Sequence, residues 1–339
     1  MSVTIALDAM GGDSAPAMVL DGAATVARRH SDVSFVLVGP EDVLRQELAK
    51  RSLPGAQFSI HHASQVVAMD EKPSIALRTK KDSSMRVGAN LVKSGDVDAL
   101  VSAGNTGALM ATARFVLKTL QEIDRPAIAS LLPSVRGQTL MLDLGANVDC
   151  TAEHLAQFAL MGHVFSLAVL EVENPRIALL NIGEEEMKGN LVVKEAGELL
   201  KRSTLNYTGS AEGSDIFLGD PDVVVCDGFV GNVSLKTTEG VAQMMTQVLR
   251  EAFSRSIFTK LGYLVARPAL KSFRDRFDPR RYNGAMLLGL KGIVVKSHGS
   301  ADGLAFSHAI ETAINLVEKR VNELICQEVT MMRGIGDQT

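Results

Sequence analysis

The sequence contains no tryptophan, and aromatic residues make up only 4% of it. That scarcity argues against sites built on stacked rings, such as platforms for single-stranded nucleic acid. Its three cysteines, Cys150, Cys226 and Cys326, are far apart and form no CxxC pair. The pattern excludes a disulfide framework and a cysteine zinc site, and a reducing cytosol is the expected home. No run approaches the ~18 apolar residues of a membrane span. The opening MSVTIALDAMGGDSAP has neither the basic start nor the long apolar stretch of a signal peptide. Net charge is −4, so a nucleic-acid partner is not expected. The dinucleotide fingerprint GxGxxG is missing, as are GxxxxGK[ST], GxSxG and HExxH. The seven histidines show no metal spacing, and His61 and His62, adjacent on a strand, would point to opposite faces. Neither a metal nor a cofactor is expected.

What is present is ample apolar material, 46% of 339 residues, with no solenoid repeat and no low-complexity segment. Short apolar runs read as buried strands: Val3–Leu7, Ser34–Val38, Ala99–Val101, Thr139–Leu142, Arg176–Leu180, Val223–Val225 and Ile293–Val295. Amphipathic helical patterns fall between most of them, at about 16–30, 40–51, 74–93, 106–119, 152–170, 190–202, 233–256 and 302–326. Buried strands alternating with helices imply an α/β fold, with a mostly parallel sheet covered by helices on both faces. We expect one large domain over 1–330, in one or two lobes around a cleft, and a tail over 331–339.

Several of these strands end in the same chemistry. Asp8 leads into Gly11 and Gly12; Ser102 into Asn105 and Thr106; Asp143 into Asn147; Asn181 into Gly183; Asp227 into Asn232; Ser297 into His298. In an open parallel sheet the strand C-termini share one edge, where ligands bind. Any single Gly/Asn turn is simply an exit from a strand. Repeated at most strand ends, the pattern points to a shared polar cleft suited to phosphate, since helix N-termini and glycine backbone favour an anion. Lys188 follows an acidic run just before a helix and reads either as part of a solvated loop or as a charge aimed at the cleft. Arg78 and Lys81, with Met85, lie on nearby faces of a helix; the choice there is between an exposed face and an anion or carrier-arm contact. His298 is the one histidine at a cleft loop, for a ligand contact or a structural hydrogen bond. Cys226 sits among apolar neighbours and reads as an inert core thiol.

The compositional anomaly lies between Arg250 and Arg281, with nine basic residues against three acids. The segment is +6 and the rest of the chain −10. Within Arg255–Arg267, Ile257, Phe258, Leu261, Leu264 and Val265 fall in an arc of roughly 120°, flanked by Arg255 and Lys260. That pattern reads as a basic amphipathic helix for an anionic membrane or an acidic carrier protein, within a helical protrusion at about 250–282. Packing into the core or a dimer interface is the competing reading. Pro268 is expected to end or kink this helix.

Long motifs carry a resemblance. DAMGGDSAP at 8–16, KPSIALRTKKDSSM at 72–85, SAGNTGALM at 102–110, DLGANVD at 143–149, LLNIGEEEMKGN at 179–190, DGFVGNVSLKTTEG at 227–240 and KSHGSAD at 296–302 run in order along nearly the whole chain. Together they resemble the phosphate acyltransferase family of bacterial phospholipid synthesis. The resemblance implies a three-layer αβα sandwich related to phosphotransacetylases and isocitrate dehydrogenase-like folds. It implies the reversible conversion of acyl–acyl carrier protein and orthophosphate into acyl phosphate and free carrier protein. The acyl phosphate would then feed a membrane glycerol-3-phosphate acyltransferase. A cytoplasmic homodimer, peripheral to the inner face of the cell membrane, is also implied. Lys188 and Asn232 match the positions assigned to catalysis, and Met187 receives no role. Asp8, Gly11, Gly12, Asn105, Thr106 and Asn147 are the inferred phosphate and cleft contacts. Two other classes stay open on the residues: a nicotinamide-dependent dehydrogenase on a related fold, and a non-catalytic lipid or carrier-protein binding module.

Overall fold

The computed structural model describes residues 2–51, 57–185 and 187–336, without the side chains at 269, 272–277, 279 and 332–336. Glu186 of the acidic run and residues 337–339 of the expected tail thus lie outside the described residues.

Among the described residues eleven strands form one sheet: β1 (Val3–Asp8), β2 (Val33–Gly39), β3 (Phe58–His62), β4 (Ala99–Ser102), β5 (Ala127–Ser134), β6 (Gly137–Leu142), β7 (Ile177–Leu180), β8 (Tyr207–Ala211), β9 (Val223–Val225), β10 (Ala285–Leu288) and β11 (Ile293–Lys296). Their order across the sheet is β3-β2-β1-β4-β11-β10-β5-β6-β9-β7-β8. The antiparallel pairings, β11–β10, β10–β5 and β5–β6, sit together in the middle. On either side all pairings are parallel.

This arrangement corrects one expectation. Because the direction reverses across the middle, β1, β4 and β11 point one way and β6, β9 and β7 the other. Their C-terminal loops therefore leave in two groups and do not share a single edge.

Side chains alternate between the two faces along each strand. Ile5, Leu7, Val101, Leu142, Val225 and Val295 enter one core with helices α1 (Ala17–Ala27), α6 (Ala152–Ala168), α7 (Leu191–Lys201) and α11 (Gly303–Glu318). Ala6, Leu100, Met141, Val224 and Val294 enter the other with α4 (Ser84–Ser94) and α5 (Thr106–Leu117). The result is a three-layer αβα sandwich. Full burial of a side chain such as Phe306 of α11 stabilises the fold by about 1.5–3 kcal/mol. Gly22 of α1 lets the two helices meet: a Cβ there would lie 2.9 Å from the Gly303 carbonyl and 3.0 Å from the Phe306 ring.

The helix expected over 74–93 is two helices, α3 (Pro73–Thr79) and α4. Ser83 breaks the run because its side chain accepts a hydrogen bond from the Arg86 amide and caps the second helix. The long C-terminal helix is likewise divided, into α11 and α12 (Val321–Gly336), at Arg320, which has φ 52°. Helix α12 continues into the stretch expected as tail. Asp227 caps α9 (Gly228–Ser254) by accepting from the Val230 amide, so this helix starts five residues before the periodicity suggested. From Gly240 through Ala252 every residue of α9 is exposed. Helix α10 (Ile257–Phe277) returns beside it, and the T-shaped pair Phe253–Tyr263 joins the two, with ring centroids 5.5 Å apart. Pro268 lies inside α10 and does not end it.

Candidate active site

The first group of loops is organised around Asp8, at the end of β1. Its buried carboxylate accepts hydrogen bonds from the hydroxyls of Ser84 and Ser102, each at 2.6 Å, and from the Met10 amide at 3.3 Å. Gly11 and Gly104 close over it. A Cβ on Gly11 would fall 2.7 Å from Asp8 Oδ2 and 2.6 Å from the Gly104 nitrogen. Gly12, at φ +104°, packs against Ala103 and the Gly299 carbonyl. Burial raises Asp8 above the usual carboxylate range, against the pull of the two serines. The oxygens of Asp8, expected from the sequence as a phosphate contact, hold three chain segments together.

Asn105 is also committed internally. It caps α5 by accepting from the Ala108 amide, and it donates to the Met69 and Glu71 carbonyls. Thr106, in the first turn of α5, is exposed. His298 Nδ1 is hydrogen-bonded with Ser300 Oγ at 2.9 Å, and the His298 amide donates to Asn283 Oδ1. Its ring remains at the surface of this group. Arg78 and Lys81 are exposed, and their side chains make no hydrogen bond or ion pair among the described residues.

The second group is organised around Asp143, at the end of β6. Five donors reach its carboxylate: the amides of Ile128, Gly145, Ala146 and Asn147, and the Asn147 side chain. Asn147 gives its other side-chain hydrogen to the Pro126 carbonyl. This loop wraps its own carboxylate, and the Asn147 side chain, expected from the sequence as a ligand contact, is engaged in holding it. Helix α9 begins on top of this loop. A Cβ on Gly228 would meet Asp143 Oδ2 at 2.8 Å, and one on Gly231 would lie 1.8 Å from the Asp143 carbonyl oxygen. The next residue, Asn232, is exposed against Gly145, whose φ of +126° only glycine accepts readily.

Lys188 lies in the loop after β7, the strand beside β9. Its side chain passes over Gly183, where a Cβ would come 2.6 Å from Nζ. Asn181 anchors the loop by donating to the Lys188 carbonyl and Ser210 Oγ. The ammonium pairs with Glu185 at 2.7 Å, which holds the lysine above its usual range and fully charged. Both partners are well exposed, so the pair is screened and readily exchanged for another anion. An open groove of about 360 Å³ runs past Lys188, Asn181, Tyr207 and Ser210. Lys188 and Asn232 thus stand at the C-terminal ends of adjacent strands.

Two lysines were passed over in the sequence. Lys296 ends β11 and is buried in the first group. Lys236, on α9 one turn beyond Asn232, lies near enough for its charge to act on Lys296. Cys226 is buried, and burial pushes its thiol far above the usual range, the environment of an inert core thiol.

Far from these loops, Ile257, Phe258, Leu261, Leu264 and Val265 are all exposed on α10, at 55% to 84%, and so is Lys260. Met244, Met245 and Val248 of α9 are exposed as well. So much exposed apolar area marks an interaction surface. Among the described residues no helix is long and apolar enough to cross a membrane, and no cluster of His, Cys, Asp and Glu could hold a metal ion.

The fold is that of the phosphotransacetylases and related dehydrogenases. A phosphotransacetylase from Streptococcus pyogenes superposes with TM-score 0.58 at 18% identity, covering 97% of this chain and 94% of that one. A 4-hydroxythreonine-4-phosphate dehydrogenase from Klebsiella pneumoniae gives 0.55 at 15%, over 94% and 100% of the two chains. The fold alone thus leaves acyl transfer and dehydrogenation side by side. Sequence relatives separate them. The family described as fatty acid synthesis protein matches residues 3–324. The phosphate acyltransferase of Magnetococcus marinus is 62% identical over 100% of this chain and 98% of its own length. That of Alkalilimnicola ehrlichii is 58% identical over 97% and 96%. The chain belongs to the phosphate acyltransferase family, and it is an acyltransferase of fatty acid synthesis.

Proposed function

We propose that the chain transfers an acyl group from acyl carrier protein to orthophosphate, giving acyl phosphate and free carrier protein. The observation that carries this reading is the exposure of Lys188, which lines an open groove, and of Asn232 after adjacent strands, with the nearby Cys226 thiol buried. Such a site suits a reaction in which the substrate brings its own nucleophile. A phosphate oxygen attacks the thioester carbonyl, the tetrahedral intermediate collapses, and the C–S bond breaks. The leaving thiolate needs little help, since a thiol has a pKa of about 8.5. What the protein must supply is position and charge. Lys188 exchanges Glu185 for the phosphate and the developing oxyanion. Asn232 donates a neutral hydrogen bond that orients them. Thr106, at the open N-terminal turn of α5, is an anion contact in the same reading.

The exposed apolar arc of α10 and the basic residues around it support docking on an anionic membrane surface, where acyl phosphate would pass to a glycerol-3-phosphate acyltransferase. Exposed apolar residues of α9 support pairing with a second copy. Incubation with acyl carrier thioester and phosphate, in EDTA and without nucleotide, tests the chemistry. Acyl phosphate should accumulate; an absolute need for a divalent ion or NAD would overturn the reading.

A further inference from the structure

Phe115, in the last turn of α5, is 52% exposed. Two cations stand over its ring. The Arg86 guanidinium, from α4, lies 4.8 Å from the ring centroid, and the Lys118 ammonium, at the end of α5, lies 4.9 Å from it. Arg114 is exposed next to Phe115 in the chain. Lys291 is exposed as well, and its amide donates to the Lys118 carbonyl at 3.0 Å. No carboxylate answers these charges. From Lys72 to Lys118 the chain has eight basic residues and three acids, a balance of +5. None of the eight makes an ion pair among the described residues. The acids Asp82, Asp96 and Asp98 accept hydrogen bonds from Ser64, Ser94 and Thr4 instead.

Backbone strain marks the same spot. Lys118 has φ 65° and ψ 172°, a region that glycine occupies almost alone. It is held there from both sides: its amide donates to the Arg114 carbonyl, its carbonyl accepts from Lys291, and the Leu120 amide donates to the Gly289 carbonyl. The contact of an exposed ammonium with a ring gains less than such a conformation costs. Stability of the free chain therefore does not account for a lysine here, whereas an interaction made by its charge does.

An exposed ring among unpaired cations has the composition of an interface centre, and its charge selects a partner that presents carboxylates around an apolar hollow. A second copy related by a two-fold axis through the patch would set basic surface against basic surface. A lone ring also gives a membrane little to insert, in contrast to the five-residue arc of α10. We propose that Phe115, with Arg86, Arg114 and Lys118 around it, is the docking point for the acidic surface of the carrier protein. The inference rests on the acyl-transfer reading, in which a protein must deliver the acyl group. Helix α5 runs from Thr106, an anion contact in that reading, to Phe115, about 14 Å at 1.5 Å per residue. A partner held at one end of the helix leaves its thiol-bearing arm to extend towards the other.

Fluorescence titration of labelled, acyl-loaded carrier protein into the whole protein, without phosphate, tests the surface. Kd should rise about tenfold or more in Phe115→Ala and in Lys118→Glu, and wild-type binding should weaken with salt. Both side chains are exposed, so these variants keep the fold. Equal affinity of wild type and both variants overturns the proposal. Lys118→Gly separates docking from structure. It should raise the unfolding midpoint by releasing the strain and still weaken binding; a lysine kept for the fold would lose stability on replacement and bind as before. In steady-state kinetics of Phe115→Ala, KM for the carrier thioester should rise while kcat and KM for phosphate hold. A fall in kcat alone would put Phe115 in the chemistry and overturn docking. Loss of binding to anionic phospholipid vesicles, with carrier affinity intact, would make the patch a membrane contact and also overturn it. A wild type that binds the carrier but does not cleave its thioester with phosphate would sink the acyl-transfer reading and leave the docking surface standing.

Discussion

Replacing Gly231 by alanine would set a methyl group 1.8 Å from the carbonyl oxygen of Asp143. In an ordinary helix interior the same change gains about 1 kcal/mol. Here something must move by at least 1.2 Å for the contact to reach even 3.0 Å, a distance that real Cβ atoms hardly ever go below. The Asp143 carbonyl is poorly placed to give way, because its own carboxylate pins the loop with five hydrogen bonds. The helix has to yield, and overpacking of this kind costs about 1–3 kcal/mol. The larger effect is on chemistry. A shift of ~1 Å carries Asn232 off Gly145, and misplacement of that size can cost about 100-fold in rate. Thioester cleavage with phosphate and urea unfolding, measured on the same preparation, would read both effects. Gly240→Ala is the control, since a Cβ there meets nothing within 4 Å. It should gain about 1 kcal/mol with no change in rate. If Gly231→Ala behaves like Gly240→Ala, the tight seat of α9 on the Asp143 loop is refuted.

Lys188→Ala and Asn232→Ala should each lower kcat about 100-fold or more with unchanged circular dichroism. The double variant should lose less than the combined amount if the two act as a unit, and full additivity would argue for separate roles. Leu261→Glu should abolish binding to anionic vesicles, itself weakened by salt, while cleavage of soluble thioester survives; aggregation of this variant would instead place Leu261 in an interface or core. Lys296→Met should stabilise the phosphate-free protein by about 3 kcal/mol at pH 7, because the buried ammonium titrates near 8 and not in the usual lysine range. The sign follows from proton linkage: the cost of the buried charge is complete below pH 8 and fades as pH approaches about 10.4, where the unfolded lysine also loses its proton. Unfolding midpoints of the two proteins should therefore converge in that interval; a constant gap would mean that Lys296 titrates in the fold as it does in the unfolded chain.

Much of this molecule can be read from its residues. The buried parallel strands announce themselves as short Val/Ile/Leu runs, and the Gly/Asn turns after them mark the loops that build the site. The strands that escape notice have reasons to. β3 and β8 are edge strands with sequences FSIHH and YTGSA, too polar to stand out. β5 contains Pro133, which is tolerated because β10 pairs only with Ala127–Ala129 and leaves one side of the strand open there. β10, with four residues, carries no period of its own. Those two central strands reverse the sheet, and without them the strand ends seem to share one edge. In the same way the residue types at the loops are informative, but not their direction. Asp8, Asn105 and Asn147 look like ligand contacts in sequence, and in the fold their polar atoms are spent on neighbouring backbone and serines. Lys296 looks like an ordinary strand terminus, because its burial depends on the sheet packing around it.

The long helix α9 also has a mechanical consequence. It touches the body most closely at Gly231 and runs about 35 Å from there to Ser254, at 1.5 Å per residue. Gly231 is thus the fulcrum of a lever whose load arm bears the exposed hairpin. A 5 Å excursion of the far end, as when a docking surface gives beneath it, displaces Lys236 by about 1 Å and Asn232 by about 0.2 Å. The hairpin can rock on whatever it rests upon while the residue nearest the fulcrum stays almost still.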